Sequence, residues 1–176
     1  MIETERLILA EWRDDHRDAI AAINADPEVM RYFVAPMTRA ETDAQIVRQI
    51  AAQANHGFCF WAVERKADGV LLGLAGLKTG APGTPIEDDL EIGWRLGRHG
   101  WGKGYASEAA RAALAYGFGD PGVPRIAAIT IVANEKSWRV MERIGMTRDL
   151  SADFEHPAVP ADSPVRPHIT YFIARP

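Results

Sequence analysis

A glycine-rich segment, residues 98–106, has the composition of a binding site for an anionic ligand. It reads Arg-His-Gly-Trp-Gly-Lys-Gly-Tyr-Ala and joins the end of a predicted strand to the start of a predicted helix. Alternate glycines let the backbone turn and approach a ligand, and the unpaired amides at a helix N-terminus attract negative charge. The segment therefore predicts a pyrophosphate site, with a plain glycine-rich connection as the alternative.

Two common phosphate-binding motifs do not fit this segment. Residues 97–103 match Gly-x-x-x-x-Gly-Lys, but Gly104 stands where a P-loop requires Ser or Thr to hold magnesium. A dinucleotide-binding fingerprint requires a third small residue three places after its second glycine, where Tyr105 or, counted from Gly102, Ser107 stands. The pattern therefore disfavours both a P-loop ATPase or kinase and a Rossmann domain.

A second pair of polar residues lies at the start of a later predicted helix. Ser137 follows Asn134 by three residues, so both side chains project from one face of that helix. Such a pair can contact a ligand laid against the helix. The alternative is helix capping, because Asn and Ser are favoured at helix starts.

Residues 101–106 resemble the acetyl-CoA pyrophosphate loop of the GNAT N-acetyltransferase superfamily, written Gln/Arg-x-x-Gly-x-Gly/Ala. Trp101 stands at the Gln/Arg position, as it does in the branch of ribosomal-protein N-terminal (Rim-like) acetyltransferases. The resemblance covers essentially the whole chain. Other segments that resemble this branch, in the expected order, are 5–9, 25–30, 91–94, 134–146, 154–157 and 168–171.

The resemblance implies an α/β (α+β) fold with a mixed central sheet of six or seven strands and about four flanking helices. The sheet would be splayed between its fourth and fifth strands, 89–96 and 125–132, and acetyl-CoA, the acetyl donor, would lay its pantetheine arm in the gap. The residues implied for cofactor binding are Trp94, Arg95, Leu96, Arg98, Trp101, Gly102, Lys103, Gly104, Tyr105, Ala106, Asn134 and Arg139. The three charged side chains at 98, 103 and 139 would meet phosphates, unless they are solvated surface charges.

The implied reaction is direct attack of a neutral primary amine on the thioester carbonyl. A backbone N–H of Trp94 or Arg95 is expected to stabilise the oxyanion. Glu91 is the candidate general base, acting through a water molecule, and Ser137 the candidate acid for the leaving sulfur. Rival candidates for the base are water itself and the side chains of Asp88, Asp89, Glu155 and His156.

The acceptor is expected to bind among variable loops, at 30–40, 80–88 and 155–167. Glu155 and His156 are the candidate substrate-binding residues, and nearby carboxylates would make this side acidic and attractive to a cationic amine. The acceptor itself remains open between a protein N-terminal α-amine and a small amine. A non-catalytic acyl-CoA-binding or regulatory module is the alternative function.

Several elements must position these residues. Helices are predicted at 14–26, at 39–54 with Thr38 and Glu41 as a capping box, at 105–118 and at 136–144. Strands are predicted at 6–10, 58–65, 70–78, 89–96, 125–132, 146–154 and 168–174. Gly93 in the middle of a strand suggests a β-bulge.

The composition indicates one catalytic domain spanning residues 1–176. Apolar residues make up 47% of the chain and charged residues 25%, which is typical of a globular protein, and the net charge of −4 argues against nucleic-acid binding. A lone cysteine, Cys59, excludes an intrachain disulfide, no metal-ligand spacing appears, and no signal-like or membrane-spanning segment is found. We therefore expect a cytoplasmic, metal-independent enzyme without a membrane partner, and a homodimer is compatible with the sequence.

Overall fold

A computed structural model describes all residues from 1 to 176. Its strands are β1 (Ile2–Glu3), β2 (Leu7–Ala10), β3 (Phe60–Arg65), β4 (Leu71–Thr79), β5 (Leu90–Leu96), β6 (Arg125–Thr130), β7 (Thr147–Glu155) and β8 (Pro167–Ala174). Its α-helices are α1 (Arg17–Ala25), α2 (Arg39–His56), α3 (Tyr105–Gly117) and α4 (Glu135–Arg143). No helix combines the length and the apolar character needed to cross a membrane.

The eight strands form one mixed sheet in the order β1-β2-β3-β4-β5-β6-β8-β7. All neighbours are antiparallel except β5 and β6, which are parallel. The expected number was six or seven strands, and the additional one is the two-residue β1, in which Ile2 pairs with Leu9. So short a strand carries too little hydrophobic pattern to be recognised in a sequence.

The four helices are divided between the two faces of the sheet. The larger core holds α3 and α4, and its contact with α3 is close because Ala109, Ala110 and Ala113 are fully buried and small. The smaller core on the other face holds α1 and α2 around Ile20 and Ile46, which are both sealed from solvent. Strands β3 and β4 are therefore covered on both sides and most of their residues are buried, whereas β7 at the edge of the sheet is largely exposed.

The N-terminus of α2 has the cap that the sequence predicts, whereas the N-terminus of α1 does not. The Thr38 hydroxyl accepts from the Glu41 amide at 3.2 Å while the Glu41 carboxylate accepts from the Thr38 amide, which confirms the capping box. Before α1, by contrast, Asp14 begins a short 3-10 helix instead of capping α1. The ring nitrogen Nδ1 of His16 accepts from the Arg13 amide there at 3.2 Å.

The β-bulge predicted at Gly93 is wrong. Strands β4 and β5 pair in continuous register from Gly73–Leu96 to Thr79–Leu90, with Gly93 opposite Gly76. A Cβ at position 93 would lie 3.1 Å from the ring carbon Cζ of Phe60, so the ring would have to shift to admit a side chain. The space at this position is thus limited by a side chain from β3, and the backbone is regular.

Candidate active site

The site begins where β5 and β6 separate. Their parallel ladder pairs only Leu90 with Ile126 and Glu91 with Ala127, while β5 continues to Leu96 alongside β4. The expected splay between these two strands is thus present. Beyond Glu91, the side of β5 that faces β6 has no strand to bond.

Backbone parity decides which residues of β5 face this gap. The Gly97 amide donates to the Leu72 carbonyl at 2.8 Å and the Gly80 amide to the Asp89 carbonyl at 2.9 Å, so odd-numbered residues of β5 bond to β4. Even-numbered residues direct their amide and carbonyl groups to the other side. Of the two expected oxyanion donors, the Trp94 N–H therefore faces the gap and the Arg95 N–H does not.

The glycine-rich segment closes one end of the gap. Gly102 and Gly104 have φ of +71° and +80°, a left-handed conformation that other residues adopt at a cost. Gly104 is the N-cap of α3 and has no side chain to bond the first amides of that helix. The N–H groups of residues 105–107 are therefore free for an anion at the positive end of a 13-residue helix.

Arg6 holds this segment from outside, a role that the sequence pattern did not reveal. Its Nε and Nη2 pair with the Glu108 carboxylate at 2.7 and 2.6 Å, and its Nη1 donates to the Lys103 carbonyl at 3.0 Å. The guanidinium also lies 4.8 Å from the centre of the Tyr105 ring. Arg6 belongs to the 5–9 segment, whose position in the resemblance was the only available signal.

The start of α4 closes the other side of the gap with Asn134 and Ser137. The Asn134 side chain does not cap α4; its Nδ2 donates to the Thr130 hydroxyl at 3.1 Å. Ser137 lies in the first turn of α4, and its hydroxyl makes no hydrogen bond within the protein. The capping alternative is therefore wrong for Asn134, and both residues line the cavity described next.

A cavity of about 1030 Å³ joins these parts. Its walls are residues 94–96, the loop and first turn of α3, one face of α4 along its whole length, and residues 28–33 between α1 and α2. Five cationic side chains line it against two carboxylates, although the whole chain carries a net charge of −4. The lining cations are Arg31, Arg95, Lys136, Arg139 and Arg143, and the carboxylates are Glu28 and Glu135.

Most residues expected to bind the cofactor line this cavity: Trp94, Arg95, Leu96, Trp101, Gly102, Gly104, Tyr105, Ala106, Asn134 and Arg139. Two charged residues of that set do not. Arg98 pairs with Asp26 at 2.7 Å, and the backbone carbonyl of the exposed Lys103 accepts from Arg6. Their contact with a phosphate stays a prediction that the geometry does not favour.

Glu91 lies on β5 next to the gap but outside the cavity lining. Its side chain is buried and its Oε2 lies 3.0 Å from Lys78 Nζ, an ion pair whose angles are not those of a hydrogen bond. Burial raises the pKa of this carboxyl, and the Lys78 charge opposes the change. Its role as a base stays a prediction.

Glu155 and His156 also lie away from the cavity. Glu155 pairs with Arg166 at 3.0 Å. The His156 ring lies 4.9 Å from that of His168, and burial together with the nearby His168 charge lowers the pKa of His156. Of the three expected acceptor loops, only the first, 30–40, contributes to the cavity, through residues 31–33.

The acidic acceptor side is largely neutralised. Glu91 pairs with Lys78, Asp89 with Arg125 at 2.8 Å and Glu155 with Arg166, so only Asp88 lacks a cationic partner. An excess of negative charge for attracting a cationic amine is therefore not found here.

Comparison with known families agrees with this geometry. Residues 6–147 match the acetyltransferase (GNAT) domain, which is most of the chain. The protein belongs to the GNAT acetyltransferase family. It is thus an acyltransferase.

Individual relatives agree with this assignment. The chain is 34% identical to the uncharacterized protein YkkB of Bacillus subtilis (strain 168), with 81% of this chain and 83% of YkkB covered. It is 31% identical to the uncharacterized N-acetyltransferase YoaA of the same organism, with 85% and 84% covered. A crystal structure of a GNAT-family acetyltransferase from Bacillus anthracis superposes with a TM-score of 0.82 at 28% identity, covering 99% of this chain and 98% of that one.

The ribosomal-protein branch is not confirmed by these relatives. RimL, a ribosomal L7/L12 alpha-N-protein acetyltransferase solved with coenzyme A, has a TM-score of 0.72 at only 17% identity, covering 97% of this chain and 95% of RimL. A likeness at that level shows the fold alone. The acceptor must therefore be sought in this chain's own cavity.

Proposed function

We propose that this enzyme transfers an acetyl group from acetyl-CoA to a primary amine by direct attack, with donor and acceptor bound together. The observation that carries the proposal is the gap beyond Glu91, which joins the free amides at α3 to a single large cavity. A donor with an anionic end and an amide-bearing arm fits such a gap, because the phosphates meet the helix N-terminus and the arm bonds to β5. The acceptor then enters from the side of residues 28–33.

Three groups of the chain support the transfer step. The Trp94 N–H faces the gap and can donate to the developing oxyanion. Asn134 offers its side-chain oxygen to an amide of the pantetheine arm, since its Nδ2 is already held by Thr130. The Ser137 hydroxyl has no protein partner and is available to protonate the leaving sulfur.

The identity of the base is a separate part of the proposal. Glu91 would act through a chain of water, because its buried carboxylate lies outside the cavity. Direct loss of the proton to water is the competing route, and it requires an amine that is partly neutral at the working pH. A pH profile distinguishes the two, as described in the Discussion.

The test is turnover with a panel of primary amines and acetyl-CoA. Released CoA is measured with a thiol reagent and the product by mass spectrometry; the background should be small because Cys59, the only cysteine, is buried and its pKa is raised by burial to about 12. We expect amine-dependent CoA release together with a mass increase of one acetyl group. Acetyl-CoA binding by calorimetry without release for any amine would instead support the non-catalytic alternative.

A further inference from the structure

Arg95 carries a positive charge that the protein leaves without a counter-charge. Its Nη1 donates to the Asn24 side-chain oxygen at 2.7 Å and contacts the Met37 sulfur at 3.5 Å, and its guanidinium lies 4.6 Å from the centre of the Phe33 ring. No carboxylate lies within ion-pair distance, and burial alone lowers the pKa of Arg95 to about 10. The residue as a whole is half-buried, but its Nε is fully buried without a hydrogen-bond partner, so the desolvated part of this charge favours binding of an anion.

The side of the guanidinium that carries Nε and Nη2 is unpaired in Arg95. In two other arginines of the chain, the same side binds a carboxylate. Arg65 holds Asp68 through Nε and Nη2 at 2.9 and 2.6 Å, and Arg125 holds Asp89 through the same two nitrogens at 2.8 and 2.9 Å. In Arg95, neither Nε nor Nη2 makes a hydrogen bond within the protein. Nε and Nη2 together have the planar, two-donor geometry that a carboxylate binds, and of these two nitrogens Nη2 is the one that is accessible.

The guanidinium is held rigidly in this orientation. Asn24 is fully buried, and its Nδ2 donates to the side chains of Thr42 and Gln45 on α2 at 3.2 and 3.1 Å. Those two bonds fix which end of the amide faces Arg95, so the oxygen must point at Nη1. A charge positioned in advance loses little entropy when it binds a ligand.

The position of Arg95 separates it from the phosphate end of the cavity. Its neighbours Asn24, Phe33 and Met37 belong to α1 and the α1–α2 connection, on one face of the sheet. Helix α3, whose N-terminus forms the anion site, packs on the opposite face. Arg95 and Phe33 both line the cavity, at the end where residues 28–33 close it.

We propose that Arg95 binds a carboxylate of the acceptor, so that the substrate is a primary amine that also carries a carboxylate group. This inference rests on the proposed function and names the acceptor class for the same site. Nε is buried, so an incoming carboxylate oxygen meets Nη2 first, at the part of the side chain that stays exposed. The Phe33 ring beneath the guanidinium forms the adjoining apolar wall.

The experiment compares matched acceptors that differ only in the carboxylate. An amino acid with an apolar side chain, its carboxamide and its decarboxylated amine are assayed with acetyl-CoA, and kcat/KM is expressed per neutral amine. We expect the carboxylate form to be preferred by about 10- to 100-fold, the range of a hydrogen bond to a charged group. In Arg95→Met this preference should fall to about onefold, and Arg95→Lys should retain part of it.

Two controls keep the result interpretable. Arg65→Met removes an arginine that is paired with Asp68 and lies outside the cavity lining, and it should leave the preference at the wild-type value. Thermal unfolding of Arg95→Met checks that the protein still folds, and some loss of stability is expected because the buried side-chain oxygen of Asn24 loses its donor. Calorimetry of each acceptor with the CoA-bound protein measures the same preference without turnover.

The outcomes separate this inference from the proposed function. Equal kcat/KM for acid and amide in the wild type, or a polyamine as the best acceptor, overturns the carboxylate assignment. A rise in the acetyl-CoA KM of Arg95→Met with unchanged acceptor preference also overturns it, because Arg95 would then serve the donor. Preferred binding of the carboxylate without any turnover supports the role of Arg95 while refuting the proposed transferase reaction.

Discussion

The indole Nε1 of Trp101 donates a hydrogen bond of 2.7 Å to the carbonyl oxygen of Leu96. Leu96 is the last residue of β5, and parity turns its carbonyl toward the side that β6 has left. The indole thus supplies the partner that a neighbouring strand would supply in a continuous sheet. It also ties the glycine-rich loop to the end of the strand before it.

Trp101→Phe should therefore weaken both the fold and donor binding. The ring can still pack under Lys136, whose Nζ lies 4.4 Å from its centre, but the Leu96 carbonyl loses its donor. Leaving such a group unpaired costs about 1–3 kcal/mol of unfolding free energy, measurable by urea titration. Trp138→Phe is the matched control, since its indole bonds the Val132 carbonyl at an exposed position and its loss should cost less.

Gly104 provides a test in which stability and affinity move in opposite directions. Asn and Asp tolerate the left-handed conformation better than other residues and are both good N-caps, so neither variant should unfold α3. Gly104→Asp places a negative charge among the free amides, which stabilises the free protein but repels phosphates. We expect acetyl-CoA to bind at least about tenfold more weakly to the Asp variant than to the Asn variant. Equal affinities by calorimetry would move the pyrophosphate away from this loop.

Ser137→Ala should lower kcat while leaving the affinity for acetyl-CoA nearly unchanged. An acid acts on the leaving thiolate and contributes little to ground-state binding, and its loss is expected to cost about 10²-fold or more. Asn134→Ala is the informative comparison, because removing a pantetheine contact should raise the acetyl-CoA dissociation constant. Wild-type turnover in Ser137→Ala would leave that serine without a chemical role.

The patterns that were readable in the sequence are local ones. The glycine-rich loop, the capping box at Thr38 and the two polar residues before and in α4 all depend on neighbours within a few positions. The contacts that orient the site join distant segments: Arg6 meets Glu108, and Asn24 meets Arg95. The hydrophobic period of a helix or a strand gives no information about pairs of residues so far apart in the chain. The error at Gly93 has the same origin, because the Phe60 ring that crowds this position comes from another strand.

Glu91→Gln should change the pH dependence of stability. Burial raises the pKa of this carboxyl in the folded state, so the folded protein binds the proton more tightly than the unfolded chain, whose Glu pKa is about 4.3. The wild type therefore loses stability as pH rises from about 4.3 through the raised pKa, and the neutral variant does not. Urea titrations at low and neutral pH should show that the free energy of unfolding of the variant, relative to that of the wild type, is higher at neutral pH. Glu155→Gln, an exposed member of an ion pair, is the control and should show little such change.

The same variant tests the base. If Glu91 accepts the proton, the acidic limb of the kcat/KM profile should vanish in Glu91→Gln. If the profile of the variant overlays that of the wild type while the stability changes as expected, Glu91 has a structural role and water accepts the proton.

The last prediction decides between two acceptor regions. Phe33 lines the cavity and remains 43% exposed, whereas Glu155 and His156, the residues chosen from the sequence, lie outside the lining. Phe33→Ala should therefore raise the acceptor KM, by about tenfold for an apolar wall of this size, and leave the acetyl-CoA KM within about twofold. Replacing Glu155 and His156 together by alanine should leave both constants near the wild-type values, because the Arg166 pair and the His168 contact lie outside the cavity. If instead the double variant raises the acceptor KM and Phe33→Ala does not, the acceptor binds beside β7 and β8, and the cavity wall at 28–33 serves only the donor.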